Sequence, residues 1–317
     1  MSRRRLRAAG WVGLALAGSV AMAPLPAAAD PGTDVRVRLL GMNDFHGQLE
    51  PGRRFQDRPV GGAAVVAAYL RASAAAFHGP TFIVHAGDWV GASPPSSALL
   101  QDEPSIGWLN LLANEHCSYE RRDDPHCNLA AAPGNHEFDE GVDELLRLVR
   151  GGRSKLGDFL EQPYRGARFP YVCANVTLRA SNKPLLPPYV IKQAGALRFA
   201  IIGAVTEDAP NLVVKSGVRG LRFSDAADAV NRQVKLLRKR GIEAIVVSVH
   251  KGGAQEPYAG ATRADVAGPT EGIADFMRRL DSAVDLVISG HAHAFSNALV
   301  RNAQGQPILL TQAGAAG

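Results

Sequence analysis

Five short apolar runs, each followed directly by a polar cluster, organise the hydrophobic pattern of this chain. Most of the runs are rich in Val, Ile and Leu, as strands are when both of their faces are buried. The five runs cover residues 35–40, 81–86, 129–132, 244–249 and 284–289. The pattern therefore predicts a buried sheet whose strands end in polar loops.

Segments with helical character separate these runs. Helices are predicted over residues 62–77, 103–114, 138–149, 224–240 and 273–280, and the fourth ends in Lys and Arg before Gly241, as helices commonly do. Further strands are predicted over residues 171–176, 189–193, 199–205, 298–301 and 307–312. This alternation predicts an α/β fold with helices outside the sheets.

The polar clusters that follow the five runs contain side chains that bind divalent metals. Ligand sites gather at the carboxyl ends of strands in α/β sheets. Asp, Asn and His without Cys make a nitrogen and oxygen ligand set. Each cluster alone is typical of a turn or a structural His, but together they indicate one metal site. The clusters are Asn43-Asp44-Phe45-His46, Gly87-Asp88, Gly134-Asn135-His136-Glu137, His250 and Gly290-His291-Ala292-His293.

In this order, the clusters resemble those of the calcineurin-like metallophosphoesterases, and within them the bacterial 5′-nucleotidase group. Residues 43–47, 91–94 and 134–141 look like that group's own motifs, and the resemblance runs from about residue 35 to residue 314. It implies a four-layer αββα sandwich with the metal site at the carboxyl ends of the strands. It also implies seven ligands: Asp44, His46 and His293 for one divalent ion, Asn135, His250 and His291 for the other, and Asp88 bridging both.

The resemblance further implies a catalytic pair. His136 matches the catalytic histidine that does not bind metal, and Asp139 matches its acidic partner, although Asp139 is also placed as an ordinary first-turn helix acid would be. Two divalent ions favour a phosphate anion, and the pKa of water bound to them is lowered towards about 7, so hydroxide is available for attack. The ligand set leaves the metal open among Zn, Mn, Co, Fe and Mg.

The first 29 residues have the anatomy of an export signal. Four arginines precede an apolar stretch over residues 8–23, and Ala27-Ala28-Ala29 offers a cleavage site. The stretch is shorter than the roughly 20 apolar residues of a membrane span, which favours a cleaved signal over an anchor. The arginines also partly fit a twin-arginine signal, so both export routes stay open. We therefore expect a periplasmic or secreted protein with no stable membrane anchor.

Charge and cysteines refine this picture. Without residues 1–29, 31 Lys and Arg face 30 Asp and Glu, so the basic pI does not indicate nucleic-acid binding. We expect a small phosphoester as partner and no nucleic-acid polymer. Cys117 and Cys127 lie in a polar insertion, residues 115–128, where they form either a disulfide or two free thiols. Cys173 is predicted to be buried.

Three functional hypotheses follow. The first is hydrolysis of nucleoside 5′-monophosphates or related phosphoesters. The second keeps the fold but acts on phosphodiesters, nucleotide sugars or thiosulfate-type substrates, and the third is a non-catalytic exported metal- or ligand-binding protein. His136 and Asp139 favour catalysis, because a pure binder does not need them. Residues 30–317 correspond to the catalytic domain, and the second domain of the 5′-nucleotidases, which binds substrate, is expected to be absent or truncated.

Overall fold

The computed structural model describes residues 35–55, 57–270 and 272–316, so the export signal predicted for residues 1–29 lies outside the described part. Its strands are β1 (Arg38–Met42), β2 (Arg53–Phe55), β3 (Arg58–Val60), β4 (Thr81–Ala86), β5 (Leu129–Ala132), β6 (Val176–Leu178), β7 (Tyr189–Ala194), β8 (Leu197–Val205), β9 (Leu221–Phe223), β10 (Ala244–His250), β11 (Leu286–Ser289), β12 (Ser296–Arg301) and β13 (Pro307–Gln312). Its helices are α1 (Ala63–Ala75), α2 (Pro95–Ala98), α3 (Glu103–Leu112), α4 (Val142–Arg150), α5 (Ala209–Leu212), α6 (Ala226–Lys239) and α7 (Gly272–Arg279).

Two sheets form the centre of the molecule. The first is parallel, with strand order β1-β4-β5. The second has the order β12-β13-β11-β10-β8-β7, parallel from β13 to β8 and antiparallel at both edges. Two short antiparallel pairs, β2-β3 and β6-β9, lie outside these sheets. All the parallel strands point the same way within their sheet, so their carboxyl ends share one edge.

The core is arranged in layers that match this architecture. One cluster of buried apolar side chains lies between the sheets, where Val84 and Ile201 are fully enclosed. A second cluster packs α6 and α7 against the outer face of the larger sheet, through residues such as Val234 and Phe276. A third packs α3 and α4 beside the smaller sheet, with Leu109 and Leu145 among its members. The predicted four-layer αββα sandwich is confirmed.

Two predicted elements differ from the structure: one helix begins later than predicted, and one strand does not form. The helix predicted from residue 138 begins only at Val142, because a 3₁₀ turn, His136–Phe138, and Gly141 at a φ of 91° precede it. The strand predicted over residues 171–176 does not form, apart from its last residue. The amides of Val172, Cys173 and Ala174 donate to carbonyls of Ala131, Pro187 and Gly203, which belong to three different segments. This stretch therefore links the two sheets instead of pairing along one strand.

The insertion over residues 115–128 is closed by a disulfide between Cys117 and Cys127, as one of the two alternatives predicted. Both cysteines are buried in the core beside the smaller sheet, so the insertion is anchored and does not lie wholly on the surface. Cys173 is free and buried, as predicted, and its burial raises the pKa of the thiol to about 12. Throughout the described ranges, we find no helix with the length and apolarity needed to cross a membrane.

Candidate metal centre

The shared edge of the two sheets, where the loops after β1, β4, β5 and β11 meet the last residue of β10, is called the metal rim here. All seven predicted ligand residues lie there. Ligand atoms of Asp44, His46, Asp88 and His293 all fall within 4.8 Å of one another. A second group within the same distance joins Asp88 to His250 and His291. Asp88 therefore belongs to both groups, which is the arrangement a bridging carboxylate requires.

Asn135 completes the second group. Its Oδ1 lies 3.1 Å from Nε2 of His250, and the same Nε2 lies 3.0 Å from Oδ2 of Asp88. In the first group, Nε2 of His46 lies 3.0 Å from Nε2 of His293. The structure thus gathers every candidate ligand into two adjoining clusters.

The backbone at the metal rim adopts a conformation that non-glycine residues seldom take. Left-handed φ angles cost about 1–3 kcal/mol each and persist where the surroundings fix them. Here the fixing contacts include the amides of Asp44 and His46, which donate to the carbonyls of Gly87 and Asp88 at 3.0 Å. These loops are therefore held in the shape that aims their side chains inward. The candidate ligands with positive φ are Asp44, His46, Asp88, His291 and His293.

Hydrogen bonds to Nδ1 of two imidazole rings indicate which nitrogen of each ring faces the candidate metal site. Nδ1 of His250 lies 2.7 Å from the carbonyl of Ala86, and Nδ1 of His46 lies 2.9 Å from the carbonyl of Gly91. A carbonyl only accepts, so Nδ1 carries the proton in each ring and Nε2 of the neutral ring presents a lone pair. Around His250 that lone pair faces oxygens of Asp88 and Asn135. Acceptors that face acceptors call for a proton or a metal ion between them, and this set of nitrogen and oxygen ligands is one that fits divalent ions.

A proton on His250 and a metal ion compete for the same place in the metal rim. Burial lowers the pKa of His250, but the charge and hydrogen bond of Asp88 outweigh this and raise it to about 9. Burial would raise the pKa of Asp88, yet His250 holds it well below its usual range. For His46 and His291 burial dominates and lowers the pKa, which keeps both imidazoles neutral. Neutral imidazole and ionised carboxylate are the forms that bind metal.

His136 and Asp139 form a separate pair beside the two clusters. Nδ1 of His136 lies 2.6 Å from Oδ2 of Asp139. This hydrogen bond, working against burial, raises the pKa of His136. The backbone amide of His136 donates to Oδ1 of Asp88 at 2.9 Å, which places the ring next to the clusters without making it a member. Because α4 begins at Val142, Asp139 is not a first-turn residue of that helix.

Glu137 is a functional candidate to which the sequence analysis assigned no role, although it belongs to the cluster Gly134-Asn135-His136-Glu137. Its buried carboxylate accepts from the amides of Asp88 at 2.9 Å and Trp89 at 2.8 Å, and from that of Gly134. Burial, followed by the charge of Asp88, raises its pKa to about 7. Glu137 thereby ties the loop after β4 to the loop after β5. The sequence offers no signal for this role, because all three partners are backbone amides.

Asn43 is a second residue of the clusters to which the sequence analysis assigned no role. Its Nδ2 donates to Oδ2 of Asp44 at 2.7 Å and to the carbonyls of Ala313 at 3.1 Å and Gly314 at 2.7 Å. Its Oδ1 accepts from the amide of Ala313 at 3.0 Å, and the amide of Ala316 donates to the carbonyl of Asp44 at 2.8 Å. The segment after β13 is thus bonded to the loop that carries Asp44.

Two buried residues close to the metal rim, Trp89 and His85, have structural roles. Trp89 is fully buried, with its ring stacked on Phe45 at 4.4 Å and on Trp108 at 5.4 Å between centroids. His85 is also fully buried, and its burial, reinforced by the charge of His250, lowers its pKa to about 3. Neither side chain belongs to the two ligand groups. The aromatic stack instead packs the loop of Asp44 and His46 against α3.

Comparison with known proteins agrees with this geometry. The family described as calcineurin-like phosphoesterase matches residues 37–295. The chain is 34% identical over 274 residues to the protein named endonuclease YhcR of Bacillus subtilis (strain 168), covering 84% of this chain and 20% of that protein. It is 35% identical over 283 residues to cell wall protein Lmo0130 of Listeria monocytogenes, covering 84% and 34%. The chain thus spans about a fifth to a third of the length of these relatives.

A solved structure shares the fold. The 5′-nucleotidase precursor of Thermus thermophilus superposes with a TM-score of 0.63 at 24% identity, over 88% of this chain and 49% of that one. More distant sequence relatives are named 5′-nucleotidase and 2′,3′-cyclic-nucleotide 2′-phosphodiesterase/3′-nucleotidase. The family match over residues 37–295, together with the clustered candidate ligands of the metal rim, identifies the chain as a member of the calcineurin-like phosphoesterase family.

Proposed function

We propose that this chain is an exported, dinuclear metal-dependent phosphoesterase that hydrolyses nucleoside 5′-monophosphates or closely related small phosphoesters. The observation that carries the proposal is the pair of ligand clusters that share Asp88, with the lone pair of His250 facing two oxygens. Such a site is stable with cations in it, and adjacent cations suit an in-line displacement at phosphorus. Export rests on the sequence of residues 1–29.

The residues divide into the roles that the resemblance implies. Asp44, His46 and His293 would hold one ion, Asn135, His250 and His291 would hold the second, and Asp88 would contact both. Bound divalent ions supply Lewis-acid charge and lower the pKa of water. The chain's own contribution is to fix the ring orientations of His46 and His250, through the carbonyls of Gly91 and Ala86, before any ion arrives.

His136 supplies the proton chemistry in this proposal. Its ring lies beside that of His46, with centroids 5.2 Å apart, and Asp139 favours the protonated form. From this position Nε2 can donate to an oxygen of the phosphate group or of the departing alcohol. Asp139 holds Nδ1, so the ring presents Nε2 to the substrate. This pair also argues against a protein that only binds ligands.

The names of relatives support the substrate class. A Vibrio cholerae relative named 5′-nucleotidase is 24% identical over 260 residues. A Salmonella typhimurium relative named 2′,3′-cyclic-nucleotide 2′-phosphodiesterase/3′-nucleotidase is 28% identical over 173 residues, which favours cyclic phosphodiesters as the second candidate substrate. The name endonuclease YhcR makes a polynucleotide the alternative to exclude, since we expect none to be cleaved.

A substrate panel tests the proposal. The chain without residues 1–29 would be assayed with added Mn²⁺ or Zn²⁺ on p-nitrophenyl phosphate, 5′-AMP, 3′-AMP, 2′,3′-cyclic AMP, UDP-glucose, thiosulfate, and single- and double-stranded DNA. We expect turnover of the monoesters, with 5′-AMP preferred over 3′-AMP. Preferential turnover of 2′,3′-cyclic AMP would favour a cyclic phosphodiester as the substrate. Cleavage of DNA would overturn the assignment to small substrates.

The matched control is His136→Ala, purified in parallel. We expect it to retain its metal while losing activity, which excludes a contaminating phosphatase as the source of turnover. No turnover on any member of the panel, with two bound ions and an intact fold, would refute the catalytic proposal. That result would favour a protein that only binds its ligand.

A further inference from the structure

A second group of metal-binding side chains lies on the loop closed by the Cys117–Cys127 disulfide, residues 115–128, which we call the disulfide loop. His116 directly precedes Cys117, and His126 directly precedes Cys127. The disulfide holds the Cα atoms of the two cysteines 4.5 Å apart. The adjacent imidazoles are therefore brought together covalently, with ring centroids 5.4 Å apart.

The spacing of these rings suits a shared ion. Two imidazoles that bind one tetrahedral ion at about 2.0–2.1 Å through nitrogen have centroids about 5 Å apart. Within the candidate metal centre, the His46–His293 and His250–His291 pairs show centroid distances of 4.9 and 5.0 Å. The rings on the disulfide loop are tilted by 46° and half exposed, so small rotations can turn a nitrogen of each toward one point.

Carboxylates surround this pair. Oδ1 of Asp124 lies 3.4 Å from Nδ1 of His126, where it favours a proton on Nδ1 and leaves Nε2 to bind. Asp124 is itself buried and fixed, because it accepts from the amide of His126 at 2.9 Å and from Arg121 at 2.6 Å. Oε1 of the exposed Glu115 lies 3.7 Å from Nε2 of His116, but no preformed group of three ligand atoms occurs here among the described residues, so the two imidazoles carry the site.

We propose that the disulfide loop is a surface site for a late first-row divalent ion, with His116 and His126 as ligands, Glu115 beside them and Asp124 orienting His126. Imidazole nitrogens select Zn²⁺, Ni²⁺ or Cu²⁺ over Mg²⁺ and Ca²⁺, and binding should strengthen from Ni²⁺ to Cu²⁺. The loop leads into the amino end of β5, whereas the metal rim follows its carboxyl end. The site is therefore independent of the phosphoesterase centre.

Calorimetric titration with Zn²⁺ tests this site. The disulfide-intact protein, with its phosphoesterase centre loaded, would be compared with His116→Gln/His126→Gln. We expect wild type to bind one more equivalent of Zn²⁺ than the double variant, and each single variant to bind that equivalent at least about tenfold more weakly. Phosphatase activity should be the same in all of them.

The matched control is His78→Gln, which removes an exposed histidine that is not part of the disulfide loop. It should keep the full stoichiometry of wild type. Equal stoichiometry in wild type and the double variant would overturn the proposal. So would a loss in His78→Gln as large as that in the double variant, because the extra binding would then come from any surface imidazole. Loss of phosphatase activity in the double variant would overturn the independence of the two sites.

Discussion

The two edges of the paired sheets bury polar side chains in different ways. At the metal rim, buried Asp88 contacts His250 and the amide of His136. At the opposite edge, Lys192 on β7 is buried in the layer between the sheets, close to where Gln193 donates to the carbonyl of Pro125 in the disulfide loop. Its Nζ has no hydrogen-bond partner among the described residues.

The pKa shifts at the two edges have the same direction and opposite meanings. The partners of Asp88 hold its pKa below the usual range, so the carboxylate stays charged despite its burial. Burial lowers the pKa of Lys192 to about 7, because Asp124 and Asp123 offset only part of the desolvation. The metal rim thus stabilises the negative charge of Asp88, which a cation requires, whereas burial at the opposite edge favours the neutral form of Lys192.

The largest expected effect comes from Asp88→Asn, because this carboxylate belongs to both ligand clusters. We expect the variant to lose most of both ions and to lose activity by roughly 10⁴-fold or more, since several kcal/mol of charge stabilisation disappear. Elemental analysis after dialysis and p-nitrophenyl phosphate turnover measure the two effects. Asp265→Asn, at an exposed position, is the matched control. Retention of two ions by Asp88→Asn would contradict the assignment of Asp88 as a ligand shared by both ions.

His136→Ala should come next. If the ring acts on the phosphoester and not on metal, kcat should fall by roughly two to four orders of magnitude. The ion content should remain that of wild type, because His136 is in neither cluster. Stopped assays together with elemental analysis separate the two quantities. A variant that loses an ion along with its activity would show that His136 is a ligand.

His250→Ala and His293→Ala sharpen the contrast within the metal rim itself. His250 is fully buried and faces two oxygens, whereas 45% of the His293 side chain is exposed. We expect His250→Ala to abolish binding of one ion, and His293→Ala to weaken the other by a smaller factor, because water can replace an exposed ligand. Equilibrium dialysis against Zn²⁺ gives both affinities. The reverse order would contradict the burial argument.

Lys192→Met should have the smallest effect on activity, because this residue lies away from the metal rim and acts on stability. Between pH 7 and pH 10 the unfolded chain carries a proton on Lys192 that the folded chain lacks, so the free energy of unfolding of wild type rises with pH. The variant lacks this rise and should be more stable by about 4–5 kcal/mol below pH 7, with the gap closing toward pH 10. Denaturant unfolding at several pH values measures it. A gap that does not change with pH would show that Lys192 stays charged when buried.

Much of the metal rim could be predicted because its residues follow apolar runs whose ends are visible in the sequence. β4 and β5 match the predicted ranges, and the side chains after them converge as expected. Glu137 could not be assigned, because its partners are backbone amides, which leave no trace in the sequence. Residues 171–174 have the composition of a strand, but their hydrogen bonds go to three separate segments, and only the packing of the sheets determines that.

The proximity of His116 and His126 was likewise beyond sequence reasoning. A disulfide was one of two alternatives for Cys117 and Cys127, and the relative orientation of the neighbouring rings depends on the turn around Asp124. That turn is fixed by Arg121 and by the amides of His126 and Cys127. Local hydrogen bonding of this kind follows from folded geometry and not from spacing.

The bonds of Asn43 have a mechanical consequence. The Asn43 side chain is hydrogen-bonded to Ala313 and Gly314 on one side and to the Asp44 carboxylate on the other. A pulling force applied at residue 316 is therefore transmitted to Asp44 in the metal rim. In a force experiment with the tether at that end, this loop would carry load before the sheets do. Bound ions would then resist the first rupture, so the force at which residues 313–316 detach would show whether the metal rim contains ions.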